Sequence, residues 1–319
     1  MDALTGLLDG PRARGAFLLR ASLAPPWSVR IQDEAPLCLV AMARGGAWLM
    51  PDGGAPLHAA EGDVLVIRGP GHYTVADDPA TPPQIVVHPG QRCTTPDGTS
   101  LAEALDLGVR SWGTDPDGPS VLLVGAYQLR GAVTGRLLAA LPPVVAVRAA
   151  DLGSPLLPLL GTEIVRDEPG QDVVLDRLLD LLLIAVLRHW FARPEAAAPG
   201  WYRAHGDPVV GPALRLLHAE PARPWTVAAL AAEVGASRAA LAQRFGRLVG
   251  EPPMAYLTGL RLAEAADLLR ESERTLEAIA RRVGYGTAFA LSAAFKREQG
   301  VSPQEYRAAR AAGPRVEPG

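Results

Sequence analysis

Two kinds of apolar pattern divide the chain. Between residues 35 and 131 the apolar positions form short runs: PLCLVAM, GAWLM, DVLVI, YTV, QIVV and SVLLVGAYQL. They are broken by turn-forming PDGG at 51–54, EGD at 61–63 and GPG at 69–71. Runs of that length at hairpin spacing predict the short strands of a small β-barrel or sandwich. Beyond residue 131 the spacing lengthens toward the helical period. Residues 132–141 and 154–166 read as short helices, and QDVVLDRLLDLLLIAVLRHWFAR, 171–193, as one long helix. Val174, Leu178, Leu181, Leu182, Ile184, Ala185 and Leu187 spread apolar surface around most of that helix, so more than one side of it should be covered. Either the strands cover it alone, or a second copy of the chain takes part of it. PEAAAPG, 194–200, then supplies a Pro- and Gly-flanked linker.

From Pro208 onward the pattern is helical throughout, and it echoes itself. Leu241 and Leu291, Phe245 and Phe295, Arg247 and Arg297, Gly250 and Gly300, Pro253 and Pro303, and Tyr256 and Tyr306 stand 50 residues apart. Upstream the offset is 49, pairing Leu230 with Ile279, Ala231 with Ala280, Val234 with Val283 and Gly235 with Gly284, so the second copy has gained one residue after its glycine. Each copy reads as a helix, a glycine turn and a second helix. Thr226, Ser237, Thr275 and Thr287 stand where N-cap hydroxyls satisfy orphan backbone donors, and Gly235 and Gly284 where a left-handed residue ends a helix. Two such pairs in register predict two helix-turn-helix units, each sending its second helix into a DNA major groove.

The repeated Gly-x-x-Pro-x-x-Tyr reverses the chain after each second helix: glycine makes the turn, and proline opens the next helix where its missing N–H is harmless. Ser302 and Glu305 add a capping box in the second copy, where the first has Pro252 and Ala255. The helix opened by Pro253 should run to about Arg270, roughly 27 Å at 1.5 Å per residue. That is a rod able to hold two reading heads on successive groove faces.

These motifs resemble the AraC/XylS family of bacterial transcription regulators over roughly the last hundred residues. The resemblance is carried by Trp225 to Phe245, by Gly250-Glu-Pro-Pro-Met-Ala-Tyr256, by Ala278-Ile-Ala-Arg-Arg-Val-Gly-Tyr285, and most specifically by Phe295-Lys-Arg-Glu-Gln-Gly-Val-Ser-Pro-Gln-Glu-Tyr306. It implies a seven-helix domain with two helix-turn-helices on one linking helix. GAWLM, EGDVLVIRGPGH and LLAALPPVV (137–145) are similar to the cupin-type sensor region of some members. The expected fold is therefore α+β and multidomain: a cupin-like sensor barrel over 1–131, a helical dimerisation segment over 132–193, a linker over 194–207 and an all-α DNA-binding domain over 208–313.

With Leu241 and Phe245 turned to the core, Arg238, Ala239, Ala242 and Gln243 should face the groove, Gln243 favouring adenine and Arg238 guanine or phosphate. Arg244 and Arg247, further along the helix, suit backbone phosphate. In the second copy the matched positions are Ala288, Phe289, Ser292 and Ala293, with Lys296 and Arg297 beyond them. Ser237 and Thr287, at the two helix starts, complete the set of DNA-contact candidates. Many members carry a polar residue or arginine where Ala293 stands and a phenylalanine where Leu291 stands, which leaves the second head little hydrogen-bonding capacity. Each arginine can equally be part of a solvated helix face.

Charge sharpens this picture slightly. The net charge of -3 hides 16 Arg/Lys against 12 Asp/Glu in residues 201–319 and 15 against 22 in residues 1–200. A basic half suits a polyanion only weakly. No signal peptide or membrane-spanning run is evident, and two cysteines make no disulfide framework, so a cytoplasmic location is expected.

The barrel region offers His58, His72 and His88 but no His-x-His, and no cofactor or metal motif stands out. A metal-dependent cupin enzyme with a DNA-binding appendage is the alternative from another class. A small-effector pocket, with Trp48, His72 and Tyr73 as lining candidates, fits the barrel better. Cys38 lies in an apolar run, and Cys93 in HPGQRCTTPDG near Arg92 and His88, where a cation would lower a thiol pKa. Both cysteines are then open to either a redox or a purely structural role. The expected partners are double-stranded promoter DNA, a second copy of the chain, a small-molecule or redox signal and, at the promoter, RNA polymerase.

Overall fold

The computed structural model describes residues 17–127, 135, 138–194, 196 and 198–311, which form two compact units; half of the helix expected over 132–141 lies outside the described residues. The N-terminal unit is built on two six-stranded sheets. One contains β1 (Phe17–Leu23), β3 (Leu37–Arg44), β6 (Val64–Arg68), β10 (Ser111–Gly113), β11 (Ser120–Tyr127) and β12 (Val144–Val147), in the order β10-β1-β11-β3-β6-β12. The other contains β2 (Ser28–Ile31), β4 (Ala47–Pro51), β5 (Leu57–Ala59), β7 (Tyr73–Ala76), β8 (Ile85–Val87) and β9 (Cys93–Thr94), in the order β5-β4-β7-β2-β8-β9. One apolar core, including Trp27, Val40, Met42, Leu49, Ile67, Tyr73 and Leu122, draws on both sheets, as in a cupin-like sandwich.

Strand period explains which apolar residues enter that core. In β4, Ala47 and Leu49 are buried and Trp48 between them points away, stacking edge-on against His58 of the neighbouring strand at 5.0 Å. β3 is different, because Leu37 through Met42 are all buried. Its second face lies under the helices, with α2 (Leu156–Glu163) packed on it. Beside it on β11, the long α3 (Gln171–Ala192) comes so close that a Cβ on Gly125 would sit 2.7 Å from Leu179. Tyr127 Oη donates to the Leu179 carbonyl at 3.1 Å. This double burial is why PLCLVAM reads as an unbroken apolar run.

The segment expected to be helical over 132–193 includes strand β12, paired antiparallel with β6 from Val144–Ile67 to Val147–Val64. Asp63, at the predicted EGD turn, fastens the end of β12 by accepting from the Ala60 and Ala149 N–H groups at 2.9 Å and from Arg148 at 2.6 Å. Burial pushes its carboxyl pKa up, but those donors outweigh it and hold the group below the usual carboxylate range. A one-turn helix, α1 (Ala149–Leu152), follows.

The C-terminal unit is helical. Part of the stretch read as linker is folded: α4 (Gly200–Arg203) buries Trp201, and a Cβ on Gly200 would meet the Leu248 carbonyl at 2.5 Å. Then come α5 (Val210–Ala219), the pair α6 (Val227–Glu233) and α7 (Arg238–Val249), the rod α8 (Pro253–Glu271), the pair α9 (Leu276–Arg282) and α10 (Ala288–Gln299), and α11 (Pro303–Ala311). All four expected N-caps form: Thr226, Ser237, Thr275 and Thr287 accept from the N–H groups of Ala229, Ala240, Ala278 and Ala290 at 3.0 to 3.2 Å. Gly235 and Gly284 turn left-handed, with φ of +65° and +84°. The capping box is present too, Ser302 N–H donating to Glu305 Oε2 at 2.7 Å and Glu305 N–H to Ser302 Oγ at 3.2 Å.

Candidate nucleic-acid interface and signal pocket

In each helix pair the second helix is anchored from below. Leu241 and Phe245 of α7, and Leu291 and Phe295 of α10, are wholly buried. Phe245 meets Tyr256 edge-on at 5.8 Å, and Phe295 meets Tyr306 at 5.2 Å, so the tyrosine of each Gly-x-x-Pro-x-x-Tyr locks the helix before it. Helical geometry then forces the opposite faces outward.

On α7, Arg238, Ala239, Ala242, Gln243 and Arg247 are exposed, forming a polar face with two arginines and one amide. Arg244 behaves differently from its neighbours. Its Nε donates to Asp207 Oδ2 at 2.7 Å, and Asp207 also accepts from the Val209 and Val210 N–H groups at 2.9 Å each. Arg244 therefore ties α7 to the start of α5. Burial pushes the Asp207 carboxyl upward, yet the two backbone donors and Arg244 hold it below its usual range.

The face of α10 is chemically poorer. Phe289 is 82% exposed, Ala293 is exposed, and Ala288 and Ser292 are half-buried. Lys296 and Arg297, nearer its end, are exposed. The Ala288 N–H donates to Glu277 Oε2 at 3.0 Å, a carboxylate that the first copy lacks, since Ala228 stands there. Ser237 and Thr287 are both exposed at the helix starts. As caps they use their oxygens as acceptors, which leaves each hydroxyl proton free to donate to phosphate.

The N-terminal unit holds a cavity of about 140 Å³ between its sheets. Of the five effector and redox candidates, Cys38, Tyr73 and Cys93 line it. Trp48 and His72 are not among its walls: Trp48 faces outward beside His58, and the His72 carbonyl accepts from the Asp52 N–H at 3.1 Å at a strand end. The sequence left Cys93 open to a redox or a structural role, and its surroundings favour the structural one. Cys93 begins strand β9 rather than sitting in an open loop, and burial pushes its thiol pKa up, as it pushes Cys38 up to about 12. Sequence reasoning missed Trp27, Asp33 and Gln91, which also line the cavity. Among the described residues, no three His, Cys, Asp or Glu side chains gather where they can hold a metal ion, and no helix is long and apolar enough to cross a membrane.

Comparison with known proteins brings both units under one heading. A cupin family model matches residues 2–192, and a helix-turn-helix domain model matches residues 230–309. A protein of Streptomyces lividans named as an AraC-like transcription regulator is 35% identical over 312 residues, spanning 96% of this chain and 98% of its own. The HTH-type transcriptional regulator AlkR of Acinetobacter baylyi is 28% identical over 313 residues, spanning 96% and 99%. A solved DNA-binding domain of the transcription factor AdpA, in complex with a target DNA, is 32% identical, covers 34% of this chain and all of that one, and has a TM-score of 0.31. With a cupin domain in front and paired helix-turn-helices behind, matched end to end by named regulators, the chain belongs to the AraC family of DNA-binding transcription regulators.

Proposed function

We propose that this regulator reads its promoter mainly through α7, with α10 gripping the DNA backbone, and that its cupin domain receives a signal rather than catalysing a reaction. One observation carries the proposal: α7 exposes Arg238, Gln243 and Arg247, whereas the groove-facing positions of α10 expose Phe289 and Ala293. Gln243 can pair bidentately with adenine, and Arg238 with guanine or phosphate. Lys296, Arg297 and the Thr287 hydroxyl suit phosphate, while Phe289 suits a thymine methyl. Selecting binding sites from random DNA tests this: one half-site should be sharply specified and the other weak or A/T-biased, about a helical turn away. Equal sharpness under α10 would overturn it.

The working unit is a cytoplasmic homodimer that meets RNA polymerase at the promoter. Helix α3 supports the pairing. Val174 and Leu181 are exposed on it seven residues apart, and Ile184 and Ala185, three and four residues beyond Leu181, are half-buried. Sedimentation of the full chain at micromolar concentration should give a dimer, and Leu181→Asp should give a folded monomer.

A further inference from the structure

The two helix pairs share caps, turns and buried anchors, yet the opening turns of their outward helices differ in charge. Glu277, in the first turn of α9, reaches across to α10, where its Oε2 accepts from the N–H of Ala288, the first residue of that helix, at 3.0 Å. Glu277 is exposed, and among the described residues no ion pair neutralises it. In the first pair the matched position is Ala228, also exposed, and the first turn of α6 holds no acidic residue. There Arg238 opens α7 with a guanidinium where Ala288 opens α10 with a methyl group. One opening turn is thus positive and the other negative.

The turn that Glu277 caps is also where Thr287 and Phe289 are exposed. A backbone phosphate drawn to that turn competes with Glu277 for the same N–H and stands within about 6 Å, two hydrogen-bond lengths, of its carboxylate. Like charges that close repel well inside the ~10 Å screening length of 0.1 M salt. We propose that Glu277 is a negative determinant of DNA affinity: its carboxylate holds the end of α10 against phosphate, so the second head binds more weakly than Thr287, Lys296 and Arg297 alone would allow. The proposal rests on reading α10 as the head that grips the backbone, and it names what limits that grip. Its effect is independent of sequence, because a phosphate carries no base identity. Full occupancy then depends on the base contacts of α7, a specificity gained by repulsion rather than by added contacts.

The test exchanges the charges reciprocally in the full chain, with binding measured on two duplexes of equal length, the best site selected from random DNA and a scrambled one. Glu277→Gln keeps an oxygen to accept from the Ala288 N–H and removes only the charge. It should tighten both duplexes alike, about twofold to fivefold near 0.1 M salt, and steepen the slope of log affinity against log salt by up to about 0.9. Ala228→Glu should do the opposite at the first head, weakening both duplexes and flattening the slope. Unchanged affinity in Glu277→Gln, a gain confined to one base-pair identity, or weaker binding with a lost preference for cytosine, whose N4 amino group a carboxylate can read, would each overturn the proposal. So would an Ala228→Glu chain that binds as the wild type does. Lys296→Ala separates the two readings. If it weakens both duplexes while Glu277→Gln changes nothing, this proposal alone falls; if neither variant has any effect, the reading of α10 falls with it.

Discussion

Phe245 meets Tyr256 at an interplanar angle of 71°, and Phe295 meets Tyr306 at 76°. Both phenylalanines are wholly buried, and both helix pairs carry the same hydroxyl caps and left-handed glycines. The copies diverge around that skeleton. Tyr256 is 1% exposed and shares a 2.8 Å hydrogen bond with His218, while Tyr306 is half-buried with the Arg270 guanidinium 4.6 Å over its ring. Outward, α7 shows amide and guanidinium groups where α10 shows a bare aromatic ring and methyl groups. The repeat thus preserves what holds a head together and leaves free what the head touches.

The strongest way to break this comparison is through the shared skeleton. Phe245→Ala and Phe295→Ala should each cost about 3 to 5 kcal/mol in denaturant unfolding, because each empties a fully buried ring site. A markedly smaller loss for one would show that the two cores are not equivalent. The outward faces should answer unequally. Gln243→Ala should relax preference at one base pair by about 1 to 3 kcal/mol, while Ser292→Ala should stay within about 0.5 kcal/mol at every position, both read from binding to single-substituted sites.

A finer contrast lies within α7 itself. Arg247→Ala should weaken all sequences alike and reduce the slope of log affinity against log salt by about one. Arg244→Ala should leave that slope unchanged and cost no more than about 1 kcal/mol of folding stability, since the Arg244–Asp207 pair is partly exposed. If Arg244→Ala moves the salt slope instead, the arginine releases Asp207 when DNA arrives.

The C-terminal half was legible because its signals are local. A cap hydroxyl, a left-handed glycine and a proline three residues after a turn each act within one helical turn of themselves, and the fifty-residue echo states them twice. Interactions that join distant positions were not legible. Asp207 lies 37 residues from Arg244, and nothing near either residue announces the pair. Strand β12 was hidden because VVAV is too short to set a period, and only its partner β6 makes it a strand. The cavity was half legible: Cys38, Tyr73 and Cys93 were singled out for their chemistry, but Trp27 lines it only because the fold brings it between the sheets. For Cys93 two roles stayed open because Arg92 and His88 are neighbours in sequence, while the burial that raises its thiol pKa is supplied only by the fold.

The rod α8 spans 19 residues with no glycine turn to bend it after its first two turns, and both helix pairs pack against it. Adding one base pair between the two half-sites shifts the second by about 3.4 Å and turns it by about 34°. A stiff helix cannot follow that screw motion. On the proposed division of labour, promoters under this regulator should exchange letters, especially beneath α10, far more freely than they gain or lose them, drifting in spelling while their spacers keep an invariant length.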